Sequence, residues 1–188
     1  LVRADLDEID AEIVAQICDL TDGIPLGVEL AALQLRALSP AQLLRRLQTF
    51  SAAAIDVAAT DDYPERQRSL RAVLESTVTL LSADAIVVLT HAASIDGPIT
   101  IELVEASCAA RGIDALAHLG DLLESGLIRR VGDRLEVPPP VRQYIAVTVP
   151  QDDLDGALDA LFAEVDALAA AAEGGWFGAE AESWRARL

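Results

Sequence analysis

The sequence predicts a mainly α fold: a helical bundle, then a three-helix unit with a small β-hairpin, then C-terminal connector helices. Three observations carry this. Apolar residues make up 52% of the 188 residues but aromatics only 4%, and the abundance of alanine and leucine favours helix over sheet. Apolar positions recur at spacings of three and four through most of the chain, the period of one helix face. Helix start and stop residues punctuate that pattern, and one short stretch near residue 130 reads instead as strand, turn and strand.

Leu6, Ile9, Ile13, Val14, Ile17 and Leu20 share one face of a helix from Asp5 to Leu20. Asp5, Asp7, Glu8, Asp10 and Glu12 lie on the other side, where acids in a first turn suit the helix dipole. Gly23 is expected to take the left-handed conformation that closes this helix, and Pro25 to open the next, where its missing N–H costs nothing. Leu26, Leu30, Leu33 and the Val28, Ala32, Leu35 set then spread around a helix reaching Leu38, a pattern wide enough for burial on most sides. Ser39 is an N-cap with Pro40 at the first helical position, opening Ala41 to Leu47. Residues 51–65 are less regular and end in a loop at Asp61, Asp62, Tyr63 and Pro64. A helix from Glu65 to Leu81 completes a first domain, residues 1–81.

Residues 82–149 read as a second domain. Ser82 caps a helix from Ala83 to Ala92, Gly97-Pro98 breaks the chain, and Thr100 caps Ile101 to Ala110. Gly112 ends that helix, Asp114 caps Ala115 to Ser125, and Gly126 terminates the third. Residues 127–131 and 134–137 then form two strands joined by Gly132-Asp133. A helix from Pro140 to about Val147 closes the domain. Three helices and a hairpin wing in this order are the plan of a winged-helix domain. Residues 150–188 form a connector: an acidic, alanine-rich helix from Asp152 to Ala172 with Leu154, Leu158, Leu161, Val165 and Leu168 inward, ended by Gly174-Gly175.

Charge excludes some functions. The net charge is −17, from 31 acidic and 14 basic residues, and such a surface repels phosphate backbones. The third helix of the second domain offers Asp114, His118, Asp121, Glu124 and Ser125, with Arg129, Arg130 and Arg134 of the wing as the only basic cluster, so DNA binding is unfavoured. Every basic residue is arginine. A P-loop needs a lysine on the β- and γ-phosphates and a Gly-rich strand-to-helix turn, and the chain has neither. Cys18 and Cys108, each in an apolar helical context, read as two buried thiols in a reducing cytoplasm. His91 and His118 read as satisfied structural histidines, and no spacing points to a metal. No apolar run approaches the length of about 18 residues that crosses a bilayer, so the sequence reads as soluble and cytoplasmic. No nucleophile, base or carboxylate pair is set apart by its context, and no catalysis is expected. The chain starts at Leu1 and contains no methionine, which reads as a piece of a longer protein.

Gly23-Ile24-Pro25-Leu26 and the helix after it resemble the GLPLAIELAAARLR segment of NB-ARC-type STAND ATPases, signalling ATPases of bacterial regulators. The likeness continues collinearly through Pro40 to Leu47, Arg66 to Ala72, Leu80 to Ser82, Ile95 to Cys108, Leu119 to Arg130 and Val141 to Tyr144. Where the family usually has a tryptophan and a tyrosine, this chain has Ser76 and Val78. The resemblance implies a helical domain and a winged-helix domain lying behind a P-loop core that would precede Leu1. It implies that Gly23, Pro25 and Leu26 line the adenine of ATP or ADP, bound only when that core is present. It implies further that the start of the last winged-helix segment, Val137 to Pro140 with Pro138 at its centre, faces the nucleotide. Three prolines there supply no charge and no side-chain hydrogen bond. Trp176 to Leu188 resembles a segment that leads into TPR-like repeats. The function implied is regulatory and scaffolding; the alternatives are a winged-helix transcription factor and an interaction scaffold without nucleotide control.

Overall fold

The computed structural model describes residues 8–58 and 65–173. The expected loop at residues 61–64, the start of the first helix at Asp5 and the segment from Trp176 to Leu188 lie outside the described residues. The regular elements are α1 (Glu8–Leu20), α2 (Pro25–Gln34), α3 (Pro40–Ala58), α4 (Glu65–Val78), α5 (Ala83–Ala93), α6 (Ile101–Ala109), α7 (Leu116–Glu124), β1 (Arg129–Val131), β2 (Arg134–Glu136), α8 (Pro139–Thr148) and α9 (Gln151–Glu173). The fold is mainly helical with one small antiparallel hairpin. The chain divides into two compact units, Leu1–Ile86 with Asp121–Ile128, and Val87–Gly120 with Arg129–Leu188.

In the first unit α3 packs on α1 and α4, and α2 packs on α4. The core is aliphatic, with Leu30, Leu43, Leu47 and Val73 sealed from solvent. Ser39 and Gln42 form a reciprocal capping box at the start of α3. The Ser39 backbone N–H donates to Gln42 Oε1 at 2.9 Å and the Gln42 N–H donates to Ser39 Oγ at 3.3 Å, satisfying two donors that a helix start leaves open. The helix then runs to Ala58, through the stretch expected to be irregular. Ala52, Ala53 and Ala54 explain the difference, since alanine favours helix without contributing to an apolar stripe.

α2 is buried on one side and not on most. Gly27, Leu30, Ala31 and Gln34 face inward, whereas Val28 is 37% exposed and Ala32 is open. The inner stripe is set by a polar residue that an apolar pattern passes over. The Gln34 side-chain amide donates to Ser76 Oγ at 3.0 Å and Thr77 Oγ1 at 2.9 Å, both buried on α4. Those hydroxyls in turn donate to the Val73 carbonyl at 2.8 Å. Arg46 of α3 secures the end of the same helix, its Nη2 donating to the Ser76 carbonyl at 3.2 Å and to Thr79 Oγ1 at 3.0 Å. A cation near C-terminal carbonyls suits the helix dipole.

In the second unit α9 packs on α6. Thr100 caps α6 through Leu103 N–H at 3.2 Å, as its position predicted. The hairpin pairs Arg129 with Glu136 and Val131 with Arg134 across Gly132-Asp133. Gly132 has φ +64° and Asp133 is not left-handed, which fits a turn with glycine at its first central position. Ile99 adds a contact the periodicity did not reveal: it exchanges two backbone hydrogen bonds with Leu135, at 2.7 and 2.8 Å. Arg142 of α8 donates to the Ile95 carbonyl at 2.8 Å and pairs with Asp96 at 2.7 Å, fixing the loop before α6.

Two expectations about burial are corrected. Cys108 is buried but Cys18 is exposed, because Cys18 lies one step round α1 from the buried Ile17 and off its inner stripe. On α9, Leu161 is buried, yet Leu158 and Val165 lie open to solvent, and Ala157 takes an inner place. The inner stripe is shifted toward Ala157, and α9 packs on α6 through it.

Gly126 ends α7 with φ +75°, and a Cβ there would lie 2.7 Å from Leu33 Cδ1 and 3.2 Å from Leu30 Cδ2. Gly126→Ala therefore combines left-handed strain with overpacking against a sealed leucine. It should destabilise the chain by about 2–4 kcal/mol, read as a lowered urea midpoint with little change in slope.

Candidate functional site

The sequence singles out the corner between α1 and α2, and the structure shows how that corner is built. α1 ends in a Schellman arrangement. The Gly23 N–H donates to the Cys18 carbonyl at 3.3 Å and the Asp22 N–H to the Asp19 carbonyl at 3.0 Å. The left-handed residue directly after the cap is Asp22, with φ +50°, and Gly23 follows at φ +62°. Gly23 thus has the expected conformation but shares the turn with a non-glycine residue, for which this region is uncommon. Asp-Gly is a turn dipeptide, and that signal was available in the sequence. The Asp22 carboxylate accepts a 2.6 Å hydrogen bond from Ser69 Oγ on α4, so the strained residue is tied to a neighbouring helix. Buried Thr21 donates through Oγ1 to the Cys18 carbonyl at 2.8 Å.

Pro25 begins α2 after Ile24, which is extended at φ −66° and ψ 121°; the residue before a proline is pushed to such values. Pro25 and Gly23 are exposed and Leu26 is half-buried. With Val28 they form a short apolar edge beside the turn. Gly27 is buried against Thr21, where a Cβ would sit 3.4 Å from the threonine Cβ.

Pro138 lies in the other unit and is buried. It is the N-cap of α8, its carbonyl accepting from the Arg142 N–H at 3.1 Å. The helix begins at Pro139, one residue earlier than expected, since prolines at its first two positions lose no hydrogen bond there. The three proposed corner residues are thus brought together at one surface, and the ring of Pro138 is packed away.

The hairpin arginines are also placed. Arg129 Nε and Nη2 both reach Glu136 Oε2 at 2.8 Å across the hairpin. Arg130 is exposed. Asp114 lies two residues before α7, which begins at Leu116 and not at Ala115 as expected; it is exposed, as are Asp121 and Glu124 on the helix, and His118 is half-buried.

His91 is buried on α5, its Nδ1 3.0 Å from Ser107 Oγ. Ser107 donates its own hydrogen to the Val104 carbonyl at 3.0 Å, so it accepts from His91, which places the ring proton on Nδ1. Nε2 has no hydrogen-bond partner. Burial, aided by the Arg111 charge, lowers the His91 pKa from its ordinary value, and the buried Cys108 thiol next to Ser107 is pushed up. The histidine is therefore only half satisfied. Among the described residues no group of three or more His, Cys, Asp or Glu is arranged to hold a metal ion, and no helix is long and apolar enough to cross a membrane. Compared with known proteins, the chain matches no family model and no curated sequence.

Two outcomes follow from this chemistry. Asp22→Ala removes the acceptor for Ser69 and leaves a Cβ in the left-handed region, and should cost about 1–2 kcal/mol. Asp22→Gly loses the hydrogen bond but relieves the strain, and its urea midpoint should lie closer to that of the unaltered chain. His91 releases its proton more readily folded than unfolded, so the unfolded chain binds more protons near neutrality. Its contribution to stability is complete above the unfolded value of about 6.5 and declines as pH falls from there toward the lowered folded value. Urea midpoints measured across that window should drop for the unaltered chain and drop less for His91→Phe.

Proposed function

We propose that this chain is the regulatory and scaffolding portion of a STAND-type signalling NTPase or transcriptional regulator. In this reading residues 1–81 are the helical domain, residues 82–149 a winged-helix domain, and residues 150–188 the start of a helical connector. The observation that carries the reading is the corner at Asp22 to Leu26. A Schellman-capped turn, pinned by Ser69 and followed at once by a proline-started helix, holds a small apolar edge at the surface with little freedom to move. Such an edge suits one flat side of a purine held mainly by another domain, because an apolar wall orients a planar ring and a phosphate cradle supplies most of the affinity. ATP or ADP would be bound with an upstream P-loop core, and the chain would couple nucleotide state to domain rearrangement without catalysis of its own.

The order α5, α6, α7, hairpin and α8 supports the winged-helix reading, in which α7 would be the helix presented to a partner. Its exposed acids argue for a protein partner over a phosphate backbone. The pairing of Arg129 with Glu136 takes one of the three wing cations out of play.

Calorimetric titration of the isolated chain with ADP and ATP should show no micromolar binding, and fluorescence anisotropy should show no sequence-dependent complex with duplex DNA at physiological salt. In the full-length protein Pro25→Ala should speed nucleotide release while shifting the melting temperature by only a few degrees, since a compatible proline contributes about 0.4–1 kcal/mol. Unchanged nucleotide exchange in that variant would remove the reading, and a tight, specific DNA complex would replace it with the transcription-factor alternative.

A further inference from the structure

An apolar stripe lies open on α9. Leu158, Phe162 and Val165 are 36%, 59% and 39% exposed, and Ala169 continues the line in the open. The spacing is four, three and four, so these residues share one face over about 17 Å of helix. One side of the stripe is closed, because it borders Ala157 and Leu161, which are buried where α9 packs on α6. The other side is acidic. Asp155, Asp159 and Asp166 are exposed and form a column about 70° round the helix from the centre of the stripe, at about 100° per residue. Single exposed apolar residues need no explanation, but a line of them rimmed by charge marks an interaction face.

The charge on that rim selects the occupant. α9 carries acids along its length and no Lys, Arg or His. Asp153 pairs with Arg111 at 3.6 Å and Asp155 accepts from Gln151 at 2.8 Å. Asp159 and Asp166 have no cation beside them among the described residues. A second copy of the chain fits poorly: antiparallel pairing through the stripe sets the two acidic columns side by side, and each copy already carries a net charge of −17, which opposes association. A bilayer fits no better, since helices that lie on membranes carry cations on their polar face. An amphipathic helix with an apolar stripe and cations along one flank matches both features, the apolar line by side-by-side packing and the acidic column by charge.

We propose that the Leu158, Phe162 and Val165 face of α9 docks a basic amphipathic helix of a partner protein, with Asp159 and Asp166 meeting its cations. This is independent of the nucleotide reading of the first unit. Only one flank of the stripe is open, so the partner's cations are needed along one edge of its apolar face and not all round it.

The test uses the full chain and a dye-labelled helical peptide of about 18 residues, about five turns, with leucines at spacings of three and four and arginines along one flank. A second peptide has the same residues with the arginines moved opposite the leucines, and a third has glutamate for arginine. Fluorescence anisotropy should show saturable binding of the first peptide and binding of the other two weaker by about tenfold or more. Phe162→Asp should abolish binding, although it adds a negative charge and would strengthen a purely electrostatic attraction for a cationic peptide. Asp159→Arg combined with Asp166→Arg should weaken the arginine peptide by about tenfold and let the glutamate peptide bind in its place. These side chains are exposed, so far-UV circular dichroism should keep its helical signal in both variants, and each variant tests the proposal without the other. No saturable binding, equal binding of the first two peptides, or binding that survives Phe162→Asp would overturn the proposal. So would a dimer seen by sedimentation and lost in Phe162→Asp, which would assign the face to a second copy, or co-sedimentation with phosphatidylcholine vesicles lost in the same variant, which would assign it to lipid.

Discussion

The first unit depends on how one buried amide is satisfied. Gln34 sits on the inner side of α2, and each of its side-chain N–H groups has a hydroxyl acceptor on α4, Ser76 and Thr77. Leaving such a group unpaired in a sealed core costs about 1–3 kcal/mol, so α2 is held on α4 at one rotation and one height. A leucine pair could slide by a few tenths of an ångström at little cost; this arrangement cannot. The orientation of α2 then decides what else is exposed. It turns Gly27 toward Thr21, Leu30 into the core, and Pro25 and Val28 outward. The apolar edge at the corner therefore follows from a hydrogen-bond requirement about fourteen ångströms along the helix, not from local turn chemistry alone.

The second unit uses a different economy. Its hairpin is only three residues a side, too short to be stable by itself. It gains a third backbone partner in Ile99 and a neighbour in the loop that Arg142 holds. An exposed Asp96 contributes little as an ion pair, because water screens it. The bond from Arg142 to the Ile95 carbonyl is the firmer part of that tie. Here a side chain on α8 and a backbone segment before α6 meet across 47 positions of sequence, and no local pattern announces such a meeting.

What could be read from the sequence was mainly what is decided within four residues. Ser39, Thr100 and the Gly132-Asp133 turn act on their immediate neighbours, and the structure has them where the spacing put them. The start of α2 at Pro25 follows for the same reason. Burial was read less well, because it depends on which element arrives opposite. Val28, Leu158 and Val165 fit an apolar period yet face solvent, while Gln34, Ser76 and Thr77 break the period and are inside. At the candidate corner Gly23, Pro25 and Leu26 were legible. The Asp-Gly dipeptide also signalled a turn at Asp22, but its bond to Ser69, 47 positions away in sequence, follows from no local pattern. Pro138 was singled out from a resemblance, and packing of the α8 start buries its ring.

The turn at Asp22 and Gly23 also has a mechanical side. Most interhelical loops behave as hinges, with several backbone dihedrals free to absorb a displacement. Here two consecutive residues occupy the left-handed region, a third is held extended by the proline after it, and a hydroxyl from α4 grips the first. Almost no soft torsion remains between α1 and α2. The joint is built as a bracket, and the Gln34 anchor ties α2 on to α4.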